Sequence, residues 1–296
     1  MNKLTIEEII GLPRLIFTSL TRGIERKDFL VFLFIVLLLT FVFILPDGLK
    51  QLLILNRDNF AINQLWTTSW THQDFGHYLG NLCGFVVSFW LALAMFNELK
   101  KKKTEFYVPF ATILVIVPLM TSLAFLYYLS FNQALGFSDV VSAMLGLCLY
   151  FAIEYFNQGV SRKIQQHGVP LQLGLAFFLG LTILSLFIDQ QIVTAIMLTI
   201  IVIYLIVKYQ LTLKKARNFI INGRKRFMLI GITIFIIICF PSMTSLQVQN
   251  GSYVNGLAHF LGLYLGLFLP NILNQIQTSI QKYKQEKANS TQQNKN

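Results

Sequence analysis

Charge is what this sequence lacks most. Only 12% of its 296 residues are charged, and Asp and Glu together number 13. A soluble domain carries about twice that charged fraction. So few ionic groups exclude an ordinary water-facing globular surface. Cysteine is also scarce, and Cys83, Cys148 and Cys239 all fall inside apolar runs, where inert buried thiols are expected. No metal-ligand spacing and no glycine-rich nucleotide loop occurs, so neither a metal nor another cofactor is expected. The N-terminus lacks the small-residue cleavage site of a signal peptide, so the first apolar run is expected to be retained as a helix.

Apolar sequence is what the chain has in excess. It is 55% hydrophobic, with a mean hydropathy of +0.61. The apolar residues stand in long uncharged runs, which predicts an all-α membrane protein. The net charge of +11 raises nucleic acid as a partner. The cations flank the apolar runs, however, which is how charges orient a protein in a lipid bilayer, so no nucleic-acid partner is expected.

In chain order, residues 1–28 mix Arg14, Arg22, Arg26 and Lys27 with Leu4, Ile6, Ile9, Ile10, Leu12 and Leu15. That pattern predicts a cytoplasmic amphipathic segment on the membrane surface. Spans are predicted at residues 29–45, 77–96, 106–127 and 140–156, then at 171–188, 192–207, 227–246 and 254–273. The three polar residues Asp189, Gln190 and Gln191 make 171–207 a tight helical hairpin. Eight spans, or six with an inserted pair, fit equally. The transmembrane domain is thus residues 29–274, and 275–296 form a polar cytoplasmic tail expected to be disordered. With the N-terminus in the cytoplasm, all 24 Lys and Arg except Lys50 and Arg57 fall on the cytoplasmic side. Trp66 and Trp70, before the second span, suit the headgroup region. Glu154 is expected to snorkel or to pair with cytoplasmic cations, and His167 to be a solvated loop residue.

Polar residues cluster at the outer ends of the spans. His77 and Asn81 are four apart and share a helical face. On those two alone, a hydrogen bond between helices is the plainer reading. Gly136-Phe137-Ser138 opens the fourth span. Ala258-His259 opens the last span, followed on one face by Gly262 and Gly266, a GxxxG pair that allows close backbone approach. Ser142 and Gly146 form a similar small pair on roughly the Ser138 face. The topology sets Ser138 and His259 at similar depth on the same side, as a nucleophile and its base require.

Together these motifs resemble the rhomboid intramembrane serine proteases. His72, His77 and Asn81 match that family's histidine–histidine–asparagine pattern at the second helix. Gly136-Phe137-Ser138 matches its Gly-x-Ser, and Ala258, His259, Gly262 and Gly266 match its last helix. The resemblance covers about residues 29 to 274. It implies a rhomboid-like bundle, a six-helix core with an extra helical pair. It implies Ser138 as nucleophile and His259 as general base, without a third carboxylate. His77, Asn81 and the Ser138 amide would form the oxyanion hole, and His72 would support the loop or an internal water. Residues 47–71 would be the family's first loop, lying partly in the membrane, with Trp66 in its common Trp-Arg pair and Thr67 in place of the arginine. The substrates implied are transmembrane proteins cut near the outer membrane face.

Two departures stand out. Asp139 replaces the usual glycine after the nucleophile, and is expected either to brace the loop or to oppose an oxyanion with its charge. Ser142 stands where many members carry an aromatic that stacks on the base. A catalytically inactive rhomboid-like protein that binds or escorts membrane proteins is the alternative, and the presence of both Ser138 and His259 weighs against it. A transporter would call for repeated halves, and none is visible.

Overall fold

The computed structural model describes residues 23–128, 133–160, 248–249, 252–253 and 256–293. Three of the described helices are long and apolar enough to cross a membrane. They are α1 (Arg26–Ile44), α4 (Phe75–Glu98) and α5 (Thr104–Tyr128). Between α1 and α4 lie two short helices, α2 (Asp47–Gln51) and α3 (Gln64–Thr67), and a 3₁₀ turn, Thr68–Trp70. α6 (Ser138–Val160) and α7 (Gly256–Gln293) complete the helices. Strand β1 (Leu55–Asn56) pairs antiparallel with β2 (Gln133–Ala134), and β3 (Val248–Gln249) with β4 (Ser252–Tyr253). The predicted spans at 171–188, 192–207 and 227–246, the segment 1–22 and His167 lie outside the described residues.

The chain is an all-α membrane protein. α1 makes the point most simply. Phe29, Leu30, Phe34, Leu37, Phe41 and Ile44 are all more than half exposed. Only Ile35, Leu39 and Val42 among its apolar residues are buried. An apolar face of that size is one that lipid, not water, covers.

The inner core is aromatic. Phe89 of α4 meets Phe106 and Phe110 of α5 at ring separations of 5.8 and 5.4 Å, and Phe96 meets Phe151 of α6 at 5.2 Å. At one end of the bundle, polar residues tie three helices together. Asp28 is fully buried, a costly place for a carboxylate without partners. It accepts from the Glu25 amide at 2.7 Å, from Lys103 Nζ at 2.7 Å and from the Tyr107 hydroxyl. Lys103 also donates to Asn97 Oδ1 at 2.9 Å. Glu154 of α6 pairs with Lys101, one of the two roles its position implied, and accepts from the Tyr150 hydroxyl at 3.1 Å.

Three expectations are corrected. Residues 275–293 are not a disordered tail: α7 runs unbroken for 38 residues to Gln293. After Pro270 it contains neither Gly nor Pro, and Gln, Lys, Ala and Glu favour helix. Lys282 and Glu286 add an i,i+4 pair at 3.9 Å. Cys83, expected to be a buried thiol, is exposed on α4, while Cys148 is buried. Trp70, expected at headgroup depth, packs inside the protein, its ring 5.0 Å from that of Phe137.

Candidate active site

The segment between α1 and α4 folds inward against α5 and the start of α6. Its anchor is Trp66, whose indole Nε1 donates to the Leu114 carbonyl at 2.8 Å, midway along α5. The chemistry of that acceptor is local. Helical C=O groups normally bond the N–H four residues on. Here that residue is Pro118, which has no N–H. The proline orphans a carbonyl inside the apolar region, and the tryptophan satisfies it. Thr67 Oγ1 donates to the Leu53 carbonyl at 2.9 Å. Thr67 thus serves as an internal tie.

Thr68 delivers the loop to the start of α6. Its carbonyl accepts from the Gly136 amide at 3.2 Å, and its hydroxyl bonds the Ala134 carbonyl. The β1–β2 pairing adds Leu55 opposite Ala134. Gly136 follows with φ +118°, a left-handed conformation that favours glycine. There is also no room for a side chain. A Cβ at Gly136 would lie 2.7 Å from His77 Cε1, 2.8 Å from His77 Nε2 and 3.8 Å from Asn81 Nδ2. The Gly136 backbone, the His77 imidazole and the Asn81 amide therefore share one small space. Asn81 Nδ2 is buried and makes no hydrogen bond among the described residues.

Asp74, which sequence reasoning passed over, starts α4. Its carboxylate accepts from the His77 amide at 2.8 Å as the N-cap of the helix. The signal was present: an Asp just before an apolar helical run. His72 lies just outside α4, buried, with its ring 5.2 Å from that of His77 and 5.7 Å from that of Tyr78. Burial, helped by the neighbouring His77, pushes the His72 imidazole down to about 3, so the ring is neutral at ordinary pH.

α6 and α7 form the largest helix–helix interface among the described residues. Three glycines let their backbones touch. A Cβ at Gly262 would lie 2.2 Å from the Asp139 carbonyl oxygen, and one at Gly266 would lie 1.8 Å from that of Ala143. A Cβ at Gly146 would lie 2.1 Å from the Leu263 carbonyl oxygen. Contacts climb both helices in the same direction, so α6 and α7 run parallel. His259 is one turn before Gly262, about 4.5 Å along the axis at about 1.5 Å per residue. This register sets it level with the Gly136–Ser138 turn. His259 is buried and Ser138 half-buried.

Ser142 fits the same interlock. It is fully buried, and its hydroxyl donates to the Ser138 carbonyl at 2.7 Å. Its Cβ would be 3.2 Å from a Cβ at Gly262, so a small residue suits this point. Asp139 does not stand alone beside Ser138. Its carboxylate accepts from Ser69 Oγ at 2.8 Å, Thr121 Oγ1 at 2.7 Å and the Val140 amide at 2.7 Å. Neither Ser69 nor Thr121 carried a recognisable signal in the sequence, since small hydroxyl residues near a span end are common. No group of His, Cys, Asp and Glu among the described residues has a metal-binding arrangement. Comparisons of the chain with protein-family models, curated proteins and solved structures find no match.

Proposed function

We propose that this protein is an intramembrane serine endopeptidase of the rhomboid kind, acting through a Ser138–His259 dyad. The observation that carries the reading is the glycine interlock of α6 and α7, which leaves His259 level with Ser138. In the reaction, His259 takes the Ser138 hydroxyl proton as Oγ attacks a peptide carbonyl. The proton then passes to the leaving amine, and water hydrolyses the acyl-enzyme by the same route in reverse. The negative charge on the tetrahedral intermediate needs preorganised donors. The unpaired Asn81 amide, the His77 ring and the Ser138 amide are the groups assigned to it. His72, neutral, would buttress His77 rather than exchange protons.

The substrates are transmembrane proteins, cut where a helix can unwind near one membrane face. The cation distribution supports the outer face, with both termini in the cytoplasm, in a cell-membrane protein of about eight spans. The test is cleavage of a single-span reporter by wild type and Ser138→Ala. Loss of a triad serine or histidine in a serine protease costs about 10⁶-fold, and here Ser138→Ala is expected to lose at least 10⁴-fold. Equal cleavage by both proteins would remove Ser138 as nucleophile and leave the binding or escorting role as the better reading.

A further inference from the structure

Asp139 is the residue next to the proposed nucleophile, and every side of it is held. Its carboxylate is fully buried, and its partners are neutral: the Ser69 hydroxyl at 2.8 Å, the Thr121 hydroxyl at 2.7 Å and the Val140 amide at 2.7 Å. Ser69 belongs to the 3₁₀ turn of the loop and Thr121 to α5. Its backbone carbonyl faces α7 so closely that a Cβ at Gly262 would come within 2.2 Å of it. Loop, α5 and α7 thus converge on one peptide unit of α6. Its place in the first turn of α6 also suits a negative charge, because the helix dipole is positive there.

We infer that Asp139 is a positioning residue, a clamp that fixes the first turn of α6, and with it Ser138, against the loop and α5. The inference rests on the protease reading of the site. It assigns Asp139 a constructive part in this chain, in a place where its charge would otherwise oppose an oxyanion. A buried carboxylate is costly unless its hydrogen bonds are kept. The members of the clamp depend on one another: losing a hydroxyl leaves the buried carboxyl under-satisfied, and losing the carboxyl leaves the Ser69 hydroxyl without its acceptor, while Thr121 Oγ1 keeps the Val117 carbonyl at 2.9 Å. Misplacement of a reacting group by about 1 Å costs as much as 10²-fold in rate.

The experiment measures kcat and KM for reporter cleavage by the full-length protein in lipid, with thermal melting of each variant. Asp139→Ala is expected to lower kcat about 10- to 100-fold with KM unchanged. Thr121→Val and Ser69→Ala should each lower kcat by a smaller factor. Thr121→Ser, which keeps the hydroxyl, should restore it. The double variant Asp139→Ala/Thr121→Val should be no slower than Asp139→Ala alone, because both remove one device. An Asp139→Ala or Asp139→Gly protein as fast as wild type, or faster, overturns the clamp. So does Thr121→Val that melts lower but keeps its kcat. If Asp139→Ala does not fold, the Thr121→Val and Thr121→Ser pair decides. A wild type without Ser138-dependent cleavage defeats the protease reading, and the clamp's role with it. A wild type that cleaves, matched by Asp139→Ala, defeats the clamp alone.

Discussion

At Gly136 one methyl group is too many. The φ of +118° strains any side chain, and His77 occupies the space a Cβ would take. Gly136→Ala is expected to destabilise the protein by about 1–3 kcal/mol and to displace the His77 ring. Gly48→Ala, where nothing lies within 4 Å of a Cβ, should be close to neutral in thermal melting. A Gly136→Ala protein as stable as wild type would contradict the packing described. His72 offers a second test at this scale. Its imidazole is held at about 3 when folded, against an ordinary 6.5. Below about 6.5 the unfolded chain takes up a proton that the folded protein refuses, so acid favours unfolding. Its contribution is whole above 6.5 and is lost as pH falls toward 3, at up to about 1.4 kcal/mol per pH unit. Between pH 7 and 5, before most carboxylates titrate, wild type should lose more stability than His72→Gln. Equal slopes would mean that His72 is not buried neutral.

Between elements, the most informative bond joins Trp66 to the carbonyl that Pro118 leaves open. Trp66→Phe removes the donor and should cost about 1–2 kcal/mol, since a carbonyl is left unsatisfied. Pro118→Ala restores an N–H to the helix and gives Leu114 its ordinary partner. In that background Trp66→Phe should cost much less, a coupling that chemical unfolding of the four proteins can measure. Additive losses would show that the indole and the proline act independently. The pairing also shows what a sequence hides. Trp66 and Trp70 were legible as interfacial tryptophans by composition, yet their partners are tertiary: a carbonyl on α5 for one and the Phe137 ring for the other. Likewise Asp139 was legible as a departure from pattern, but not as the acceptor of Ser69 and Thr121, residues 70 and 18 positions away. The close approach of α6 and α7 was legible, because the Gly262/Gly266 and Ser142/Gly146 pairs are small residues at a spacing that lets two helices pack closely.

Across the molecule, apolar periodicity placed α1, α4 and α5 within two or three residues of their ends, because uncharged runs of that length have few alternatives. The end of α7 was misjudged, since polarity alone argues equally for a disordered tail and for a solvated helix. The buried Asp28 network was missed, because Asp28 reads as a flanking charge until Lys103 and Tyr107 are brought to it. What unites the whole is a claim about one pair: Ser138, at the start of α6, is made nucleophilic by His259, at the start of α7. A fluorophosphonate probe reacts with a serine only when a base activates it. Applied to the full-length protein in lipid, with the modified residue identified by mass spectrometry, it measures that activation directly. The account predicts labelling at Ser138 in wild type and none in His259→Ala, with both proteins folded. A folded wild type that takes no label at Ser138, or a His259→Ala protein that labels as fast, would contradict it.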